Sequence, residues 1–218
     1  MIFPRRGLYA ISRTQAEFAT TAQLLAEMQA VLRGGARVVQ YRAKHHAPND
    51  AQAAALLALC HAYNAPLIIN DDLELARRIG ADGVHLGKED PPISHARAVL
   101  GDQAIIGVSC YNAIELACNA QQLGASYVAF GRFYPSSSKP LALPAQLSTL
   151  QQAKTLLTVP IVAIGGILPS NAPALLNAGA DLLAVIGGLF HSEPQSAAQA
   201  YQALFTDTLS HPEGTTLC

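Results

Sequence analysis

Charged residues are scarce in this chain. Only 13% of the 218 residues are charged, against about 25% in a typical globular domain. The net charge is −1 at pH 7, and no run of lysine and arginine is longer than two residues. A nucleic-acid-binding surface needs a basic patch, so this composition argues against nucleic acid as a partner. Any anionic ligand must be bound by a few local cations.

Long hydrophobic runs are also absent. No stretch approaches the ~20 apolar residues that a helix needs to cross a bilayer, so we expect no membrane partner. Arg5-Arg6 could begin an export signal, but the apolar run that follows, Gly7–Ile11, is too short for the hydrophobic region of a signal peptide. The four cysteines have neither CxxC spacing nor a paired pattern, which indicates free thiols in a reducing compartment. We therefore predict a cytoplasmic protein.

The chain does contain a short repeat. Gly-Ala-x followed by an apolar run occurs four times, and each copy follows a stretch with helical periodicity. Each glycine is expected to end a helix at positive φ, and each apolar run is expected to form a strand. The copies begin at Gly35, Gly80, Gly124 and Gly179.

Four further apolar runs lie between the repeats, at 8–11, 67–69, 104–108 and 160–164. All eight runs alternate with helical stretches, with a unit length of roughly 25 residues. The pattern predicts an α/β fold, a single (β/α)₈ TIM barrel with eight parallel strands. The chain is then one domain, 1–218, with an ordered barrel over about 7–205 and a flexible C-terminal tail over 206–218.

Polar side chains cluster where the predicted strands end. In such a barrel the carboxyl ends of all strands lie on one face, and that face carries the active site. The converging groups are two carboxylates, several cations, one side-chain amide on each of two strands and several hydroxyls. They are Gln40, Arg42, Lys44, Asn70, Asp71, Asp90, Ser109, Ser136, Ser137, Ser138 and Lys139.

Two carboxylates beside an excess of cations point to Mg²⁺ and an oligophosphate. Mg²⁺ usually takes one or two protein carboxylates and completes its octahedron with water and phosphate oxygens. Lysine and arginine would neutralise the remaining charge. The structural alternative is that Asp71 caps the helix after the third strand and that Asp90 is an ordinary loop carboxylate.

Glycine pairs follow the seventh and eighth strands, at Gly165-Gly166 and Gly187-Gly188. Glycines there expose backbone N–H groups near a helix N-terminus, and the loops after these two strands commonly form a phosphate site. The alternative is that they are simple turn glycines. The sequence thus predicts two phosphate stations, a metal-assisted one near strands two to five and a metal-free one at strands seven and eight.

His85 lies on the predicted fourth strand, where its neighbours Val84 and Leu86 point to the opposite face. Nothing nearby in the sequence would tune it as a general base, so we interpret it as an inward packing or ligand-positioning histidine. Cys110 follows Ser109 directly, but no histidine or aspartate companion marks it as a nucleophile.

Taken together, these segments resemble the thiamine-phosphate synthase family. The matching segments cover almost the whole predicted barrel, in order. They are Gln40-Tyr41-Arg42-Ala43-Lys44, Ile69-Asn70-Asp71-Asp72, Gly83-Val84-His85-Leu86-Gly87 with Asp90, Gly107-Val108-Ser109, Pro135-Ser136-Ser137-Ser138-Lys139 and Ala163-Ile164-Gly165-Gly166-Ile167. The resemblance implies a transferase that joins a hydroxymethylpyrimidine diphosphate to the nitrogen of a thiazole phosphate, giving thiamine phosphate and diphosphate.

The resemblance also implies residue roles. Asp71 and Asp90 would hold Mg²⁺, and Arg42, Lys44 and Lys139 would be catalytic. The pyrimidine diphosphate would be bound by Gln40, Arg42, Lys44, Asn70, Ser109 and Lys139. The thiazole phosphate would be bound by Ser136, Ser137, Ser138, Gly166, Ile186 and Gly187.

The chain departs from the family pattern at three places. The hydroxyl run is all serine where threonines are common, which keeps the donors but loosens their rotamers. Tyr111 stands where many relatives have histidine. Gly187 stands where a serine is common, so one phosphate-binding hydroxyl is missing.

Two other functions are compatible with the predicted barrel. A thiazole tautomerase of the same fold would, by resemblance, need a histidine at position 111 and would not maintain the lysines and metal ligands. The histidine is absent here while Lys44, Asp71, Asp90 and Lys139 are all present, which favours the synthase. A non-catalytic barrel that binds a phosphorylated metabolite would need only the glycine-rich station.

Overall fold

The computed structural model describes residues 1–14, 20–43, 49–135 and 144–206. Eight short β-strands follow one another along the chain, each separated from the next by a helix. The strands are β1 (Gly7–Ile11), β2 (Val38–Tyr41), β3 (Leu67–Asn70), β4 (Gly83–Leu86), β5 (Ile105–Tyr111), β6 (Tyr127–Gly131), β7 (Ile161–Ile164) and β8 (Leu182–Val185).

In the described ranges, eight α-helices alternate with the strands, and a turn of 3₁₀ helix, Gly187–Leu189, follows β8. The helices are α1 (Thr21–Arg33), α2 (Asp50–Ala62), α3 (Leu73–Ile79), α4 (Ile93–Leu100), α5 (Ile114–Gln122), α6 (Leu147–Leu156), α7 (Ala172–Asn177) and α8 (Pro194–Thr206). No helix in the described part of the chain is both long and apolar enough to cross a membrane.

The strands form a closed barrel in which β1 to β8 neighbour one another in chain order and β8 pairs with β1. Every pair is parallel. The predicted (β/α)₈ barrel is therefore confirmed. Of the predicted tail at 206–218, Thr206 is the last residue of α8, and the rest lies outside the described residues.

The glycine of each Gly-Ala-x repeat ends a helix as predicted. All four glycines have positive φ, between 67° at Gly80 and 112° at Gly179. The alanine that follows donates its N–H to the carbonyl five residues earlier, as Ala81 does to Ala76 at 2.9 Å. This six-to-one bond is the signature of the Schellman motif, which satisfies the last carbonyls of a helix. The repeat is thus a helix stop followed at once by a strand.

The third residue of the repeat has a separate role that the sequence did not reveal. In three of the four copies its side chain accepts a hydrogen bond from a backbone N–H at the start of the preceding strand. The pairs are Asp82 with Leu67 at 2.9 Å, Ser126 with Ile106 at 3.0 Å and Asp181 with Ile161 at 3.0 Å. Each even-numbered strand from β4 onward is therefore tied at its beginning to the odd-numbered strand before it.

The apolar core has two layers. The larger one lies between the strands and the surrounding helices and includes the outward-facing strand residues. The smaller one fills the inside of the barrel, because successive strand side chains point to opposite faces. Its members are Phe3, Tyr9, Ile11, Val38, Ile68, Ile105, Tyr127, Ala129, Val162, Leu182 and Ala184.

Strand β5 is longer than the sequence indicated. The apolar run predicted a strand over 104–108, but β5 continues to Tyr111, and its register against β6 shifts between Ser109 and Tyr111. Tyr111 itself has φ of 55°. An irregularity of this kind turns the end of a strand and re-aims its side chains. Here it lies at the rim of the barrel, beside the cavity described next.

Candidate active site

A cavity of about 480 Å³ opens at the carboxyl ends of the strands. This is within the range of roughly 300–1,000 Å³ that small-molecule sites occupy, and it lies on the face where TIM barrels carry their chemistry. Its floor is formed by polar groups from inside the barrel, and its walls by the loops that follow the strands.

Every described residue that the sequence assigned to a site lines this cavity. Those residues are Gln40, Arg42, Asn70, Asp71, Asp90, Ser109, Gly166, Ile186 and Gly187. The remaining assigned residues, Lys44, Ser136, Ser137, Ser138 and Lys139, lie outside the described residues. The roles given to all of these side chains stay predictions.

The two aspartates after β3 have different surroundings. Asp72, not Asp71, is the N-cap of α3, because its Oδ1 accepts a hydrogen bond of 2.8 Å from the N–H of Leu75. The alternative that Asp71 caps this helix is therefore wrong. Asp71 has a left-handed backbone, with φ of 63°, and lines the cavity. A non-glycine residue in this conformation carries strain that is often found at functional positions.

Asp90 closes the loop after β4 and also faces the cavity. Its Oδ2 accepts a hydrogen bond of 2.6 Å from the N–H of Gly87. Tyr111 covers the same loop, since its hydroxyl accepts from the N–H of Lys88 at 3.3 Å. Asp90 therefore does stabilise its loop, as the alternative of an ordinary loop carboxylate holds. The same loop also places Asp90 in the lining of the cavity.

Five polar side chains form a continuous hydrogen-bonded chain across the barrel at the cavity floor. Gln40 Nε2 lies 2.9 Å from the Tyr9 hydroxyl, which lies 2.8 Å from the Tyr127 hydroxyl. His85 Nδ1 is 2.9 Å from Tyr127, and His85 Nε2 is 2.9 Å from Ser109 Oγ. We call these five residues the interior relay. His85 therefore faces the inside of the barrel, as the sequence indicated, and its positioning role stays a prediction.

Burial strengthens the preference of the two relay phenols for the protonated form. Tyr9 and Tyr127 are 1% and 0% exposed. Desolvation raises the pKa of Tyr127 well above its ordinary value, and it also raises the pKa of Tyr9 although two hydrogen bonds oppose it. Both hydroxyls consequently keep their protons over the physiological pH range.

The two glycine pairs differ in backbone conformation and in the space around them. Gly165 and Gly166 have positive φ, and a Cβ on Gly166 would lie 2.3 Å from the carbonyl oxygen of Pro135. Gly187 lies outside the left-handed region, and a Cβ there would lie 3.2 Å from His191 Nε2. Among the described residues, the N–H groups of Gly166 and Gly187 have no hydrogen-bond acceptor. Turn geometry explains the first pair, and the unused donors fit the predicted phosphate station.

The cavity contains residues that sequence reasoning missed. Arg132 and Lys88 add cationic side chains, His191 lies beside Gly187, and Tyr9 and Tyr127 rise from the barrel interior. The tyrosines could have been found, because each occupies an inward-facing position of a predicted strand. The other three lie in loops, where the sequence carries no periodicity that would fix a direction.

The residues present fit a magnesium ion bound with phosphate. No cluster of three or more metal-ligating side chains exists in the described ranges, so a site closed entirely by protein ligands is not found there. Mg²⁺ in phosphate-handling enzymes needs only one or two carboxylates, with substrate oxygens and water completing its shell. Asp71 and Asp90 line one cavity and supply that donor set.

Comparisons with known proteins agree on one family. The model of the thiamine monophosphate synthase family matches residues 8–189. A thiamine-phosphate synthase from Thioalkalivibrio sulfidiphilus is 48% identical over 204 residues, covering 92% of this chain and 95% of the relative. A thiamine-phosphate synthase from Nitrosococcus oceani is 49% identical over 203 residues, covering 92% and 93% of the two chains.

Solved structures show the same relationship. A thiamine phosphate pyrophosphorylase from Pyrococcus furiosus superposes with a TM-score of 0.82 and 30% identity, covering 94% of this chain and 98% of the other. A structure described as native KDPGal matches with a TM-score of 0.73 but only 15% identity, over 97% of this chain and 100% of that one. The second likeness shows only the shared fold.

Proposed function

Because this chain belongs to the thiamine-phosphate synthase family, it is a transferase of thiamine biosynthesis, and we propose how its cavity carries out the reaction. The substrates are a hydroxymethylpyrimidine diphosphate and a thiazole phosphate. The observation that carries the proposal is the single cavity that contains both carboxylates, the relay hydroxyl of Ser109 and the unused N–H groups of Gly166 and Gly187. We further propose a cytoplasmic location and one domain over 1–218.

The diphosphate end belongs with β2 to β5. Asp71 and Asp90 would hold Mg²⁺, which when bound would neutralise negative charge on the diphosphate. Arg42 lies in the same cavity as these carboxylates, and Lys44 and Lys139 are proposed to complete the set of cations. Asn70, the last residue of β3, and Gln40 both line the cavity, which supports the proposal that they orient the pyrimidine.

The thiazole end belongs with β7 and β8. The free N–H groups of Gly166 and Gly187 are two donors for the thiazole phosphate, supplemented in the proposal by Ser136, Ser137 and Ser138. This arrangement would hold the thiazole nitrogen in line with the pyrimidine methylene carbon. Two reactants fixed in one cavity react as if at very high local concentration.

The chemistry then needs no general base. The bond between the methylene carbon and the diphosphate oxygen breaks, and its electron pair leaves with the diphosphate. The lone pair of the thiazole nitrogen then forms the new C–N bond to the electron-deficient carbon. No proton is removed, so the protein's task is to stabilise the leaving group and to position the acceptor. The absence of a general base is consistent with the protonated tyrosines of the relay. It is also consistent with the thiol of Cys110, because burial raises its pKa to about 12.

The metal is tested with neighbouring aspartates. Asp71→Asn should raise the Mg²⁺ concentration for half-maximal turnover by at least about 10-fold, since a ligand charge is lost. Asp72→Asn is the matched control, because Asp72 caps α3 and its amide oxygen can still accept from Leu75. Turnover should also stop in EDTA and return with Mg²⁺. Undiminished activity in EDTA, or equal effects of the two substitutions, would remove Asp71 from the metal site.

A further inference from the structure

The donors and acceptors of the interior relay can be assigned in order, beginning with the side-chain amide of Gln40. The amide Nε2 of Gln40 can only donate, so the Tyr9 hydroxyl accepts from it. Within the described ranges, the other partner of Tyr9 is the Tyr127 hydroxyl, 2.8 Å away. The proton of Tyr9 must therefore be donated to Tyr127.

The same reasoning continues to the end of the relay. The Tyr127 hydroxyl accepts the hydrogen bond from Tyr9, so its own O–H donates to His85 Nδ1 at 2.9 Å. The neutral imidazole then carries its hydrogen on Nε2 and donates it to Ser109 Oγ, also at 2.9 Å. In the reverse direction the proton of Tyr9, a residue only 1% exposed, would have no acceptor. Only one direction satisfies every buried donor.

From this polarity we propose that the interior relay holds His85 in its Nε2-protonated tautomer and thereby makes Ser109 a fixed hydrogen-bond donor to the cavity. Tyr127 is then a positioning residue, because it acts on the substrate only through His85 and Ser109. The inference rests on the proposed function. The group that accepts from Ser109 is an electron-rich atom of the pyrimidine diphosphate, either a diphosphate oxygen or a ring nitrogen.

The surroundings hold the relay in place. The ring of Tyr127 stacks on Phe3 with centroids 4.1 Å apart and an angle of 7° between the planes. Gly107 leaves room for it, since a Cβ there would lie 2.0 Å from Tyr127 Cζ. The raised pKa values of Tyr9 and Tyr127 keep both phenols protonated, so each retains the hydrogen that it donates in this direction. A hydrogen-bonded network with every donor satisfied specifies one arrangement.

The tautomer can be observed directly by ¹⁵N NMR of the histidine side chains. The chain has seven histidines, and the His85 signals are assigned by their loss in His85→Gln. The wild-type protein should show His85 with a protonated Nε2 and an unprotonated Nδ1. Tyr127→Phe should abolish this fixed tautomer, whereas Tyr9→Phe should keep it, because His85 Nδ1 is then the remaining acceptor for the buried Tyr127 hydroxyl in the described ranges. An Nδ1-protonated His85 in the wild-type protein overturns the proposal.

The effect on catalysis separates positioning from stability. Tyr127→Phe should lower kcat/KM for the pyrimidine diphosphate by about 10-fold, as expected for one misdirected hydrogen bond, and should leave the KM for the thiazole phosphate unchanged. The matched control is Tyr41→Phe, which removes an equally buried hydroxyl that bonds Gln52 on the outer side of the barrel. Equal losses in the two variants would show that Tyr127 is only structural.

Ser109→Ala identifies the acceptor. If Ser109 donates to a diphosphate oxygen, inhibition by inorganic diphosphate should weaken in this variant along with substrate binding. If it donates to a pyrimidine nitrogen, only substrate binding should weaken. No change in either overturns the proposal. The proposed reaction is judged separately, since a protein with the expected tautomer but no turnover would contradict the function and leave the relay intact.

Discussion

At the scale of single residues, two non-glycine residues beside the cavity have an unusual backbone conformation. Asp71 and Tyr111 have positive φ beside the cavity, with values of 63° and 55°. Such strain costs of order 1–3 kcal/mol per residue and persists only where the surrounding structure imposes it. Asp71 is thereby separated from the helix-capping role, which falls to Asp72. The turn at Asp71 thus separates the two aspartates, because Asp72 caps α3 while Asp71 lines the cavity.

Gly107 provides a residue-scale prediction. Gly107→Ala should reduce the free energy of unfolding by about 3 kcal/mol, because the new Cβ would overlap the Tyr127 ring in the closely packed barrel interior. Gly80→Ala is the comparison, since Gly80 has a left-handed backbone with φ of 67° and ψ of 39° and a Cβ there meets nothing within 4 Å, so the cost is the backbone alone, about 1–2 kcal/mol. Urea denaturation measures both. A smaller loss at Gly107 than at Gly80 would show that Tyr127 can move aside.

At the scale of elements, the Gly-Ala-x repeat does two jobs in three consecutive residues. The glycine and alanine end the helix, and the third side chain ties the start of the next strand to the strand before it. Polar groups at the amino ends of the strands stabilise the barrel, while the carboxyl ends remain available for chemistry. The hydrogen bonds that tie the strands together thus lie at the opposite end of the barrel from the cavity.

Asp181 provides the element-scale prediction. Asp181→Ala should lower the free energy of unfolding by about 1–3 kcal/mol, because the buried N–H of Ile161 loses its acceptor. Lys154→Ala removes the ion pair on the exposed side of the same carboxylate and should cost less than about 1 kcal/mol. Chemical denaturation of both variants makes the comparison. Equal losses would assign the stabilisation to the ion pair.

The elements of this barrel could be predicted from sequence because each depends on local pattern. The strand over Gly83–Leu86 directly follows the repeat that begins at Gly80, as predicted, and the helix stops coincide with the repeat glycines. The late end of β5 could not be predicted, since the irregularity near Tyr111 depends on pairing with β6.

The candidate site was predictable to the same extent. Residues at strand ends, such as Asn70 and Ser109, were placed correctly in the cavity because strand direction determines where they lie. Loop residues such as Arg132 and His191 were missed, since their direction is set by tertiary contacts. The interior relay was also missed as a unit, because its members lie on five different strands.

At the scale of the whole molecule, a buried thiol and a buried phenol make the free energy of unfolding depend on pH in the alkaline range. Burial, with a smaller contribution from the charge of Asp82, raises the pKa of Cys60 from its ordinary 9.0 to about 12, and burial also raises that of Tyr201 to about 12. In the unfolded chain these groups release their protons at lower pH than in the folded protein. Their contribution to stability is therefore complete below about pH 9 and is lost as the pH rises towards 12.

We accordingly expect the urea midpoint of the reduced protein to fall between pH 9 and 11. Cys60→Ala should make this fall shallower, because one group with a raised pKa is removed, even if the variant is less stable at pH 7. The comparison of slopes uses each protein's own value at pH 7 as its reference. A Cys60→Ala slope as steep as that of the wild-type protein would show that the thiol does not contribute.

The central claim is that one cavity brings a pyrimidine diphosphate and a thiazole phosphate together and joins them. The most direct test incubates the purified protein with both substrates and Mg²⁺ and follows products by mass spectrometry, with each substrate omitted in turn. The account predicts thiamine phosphate and diphosphate in equal amounts, formed only when both substrates are present. A rearranged thiazole phosphate formed without the pyrimidine substrate, or no product from the folded protein, would contradict it.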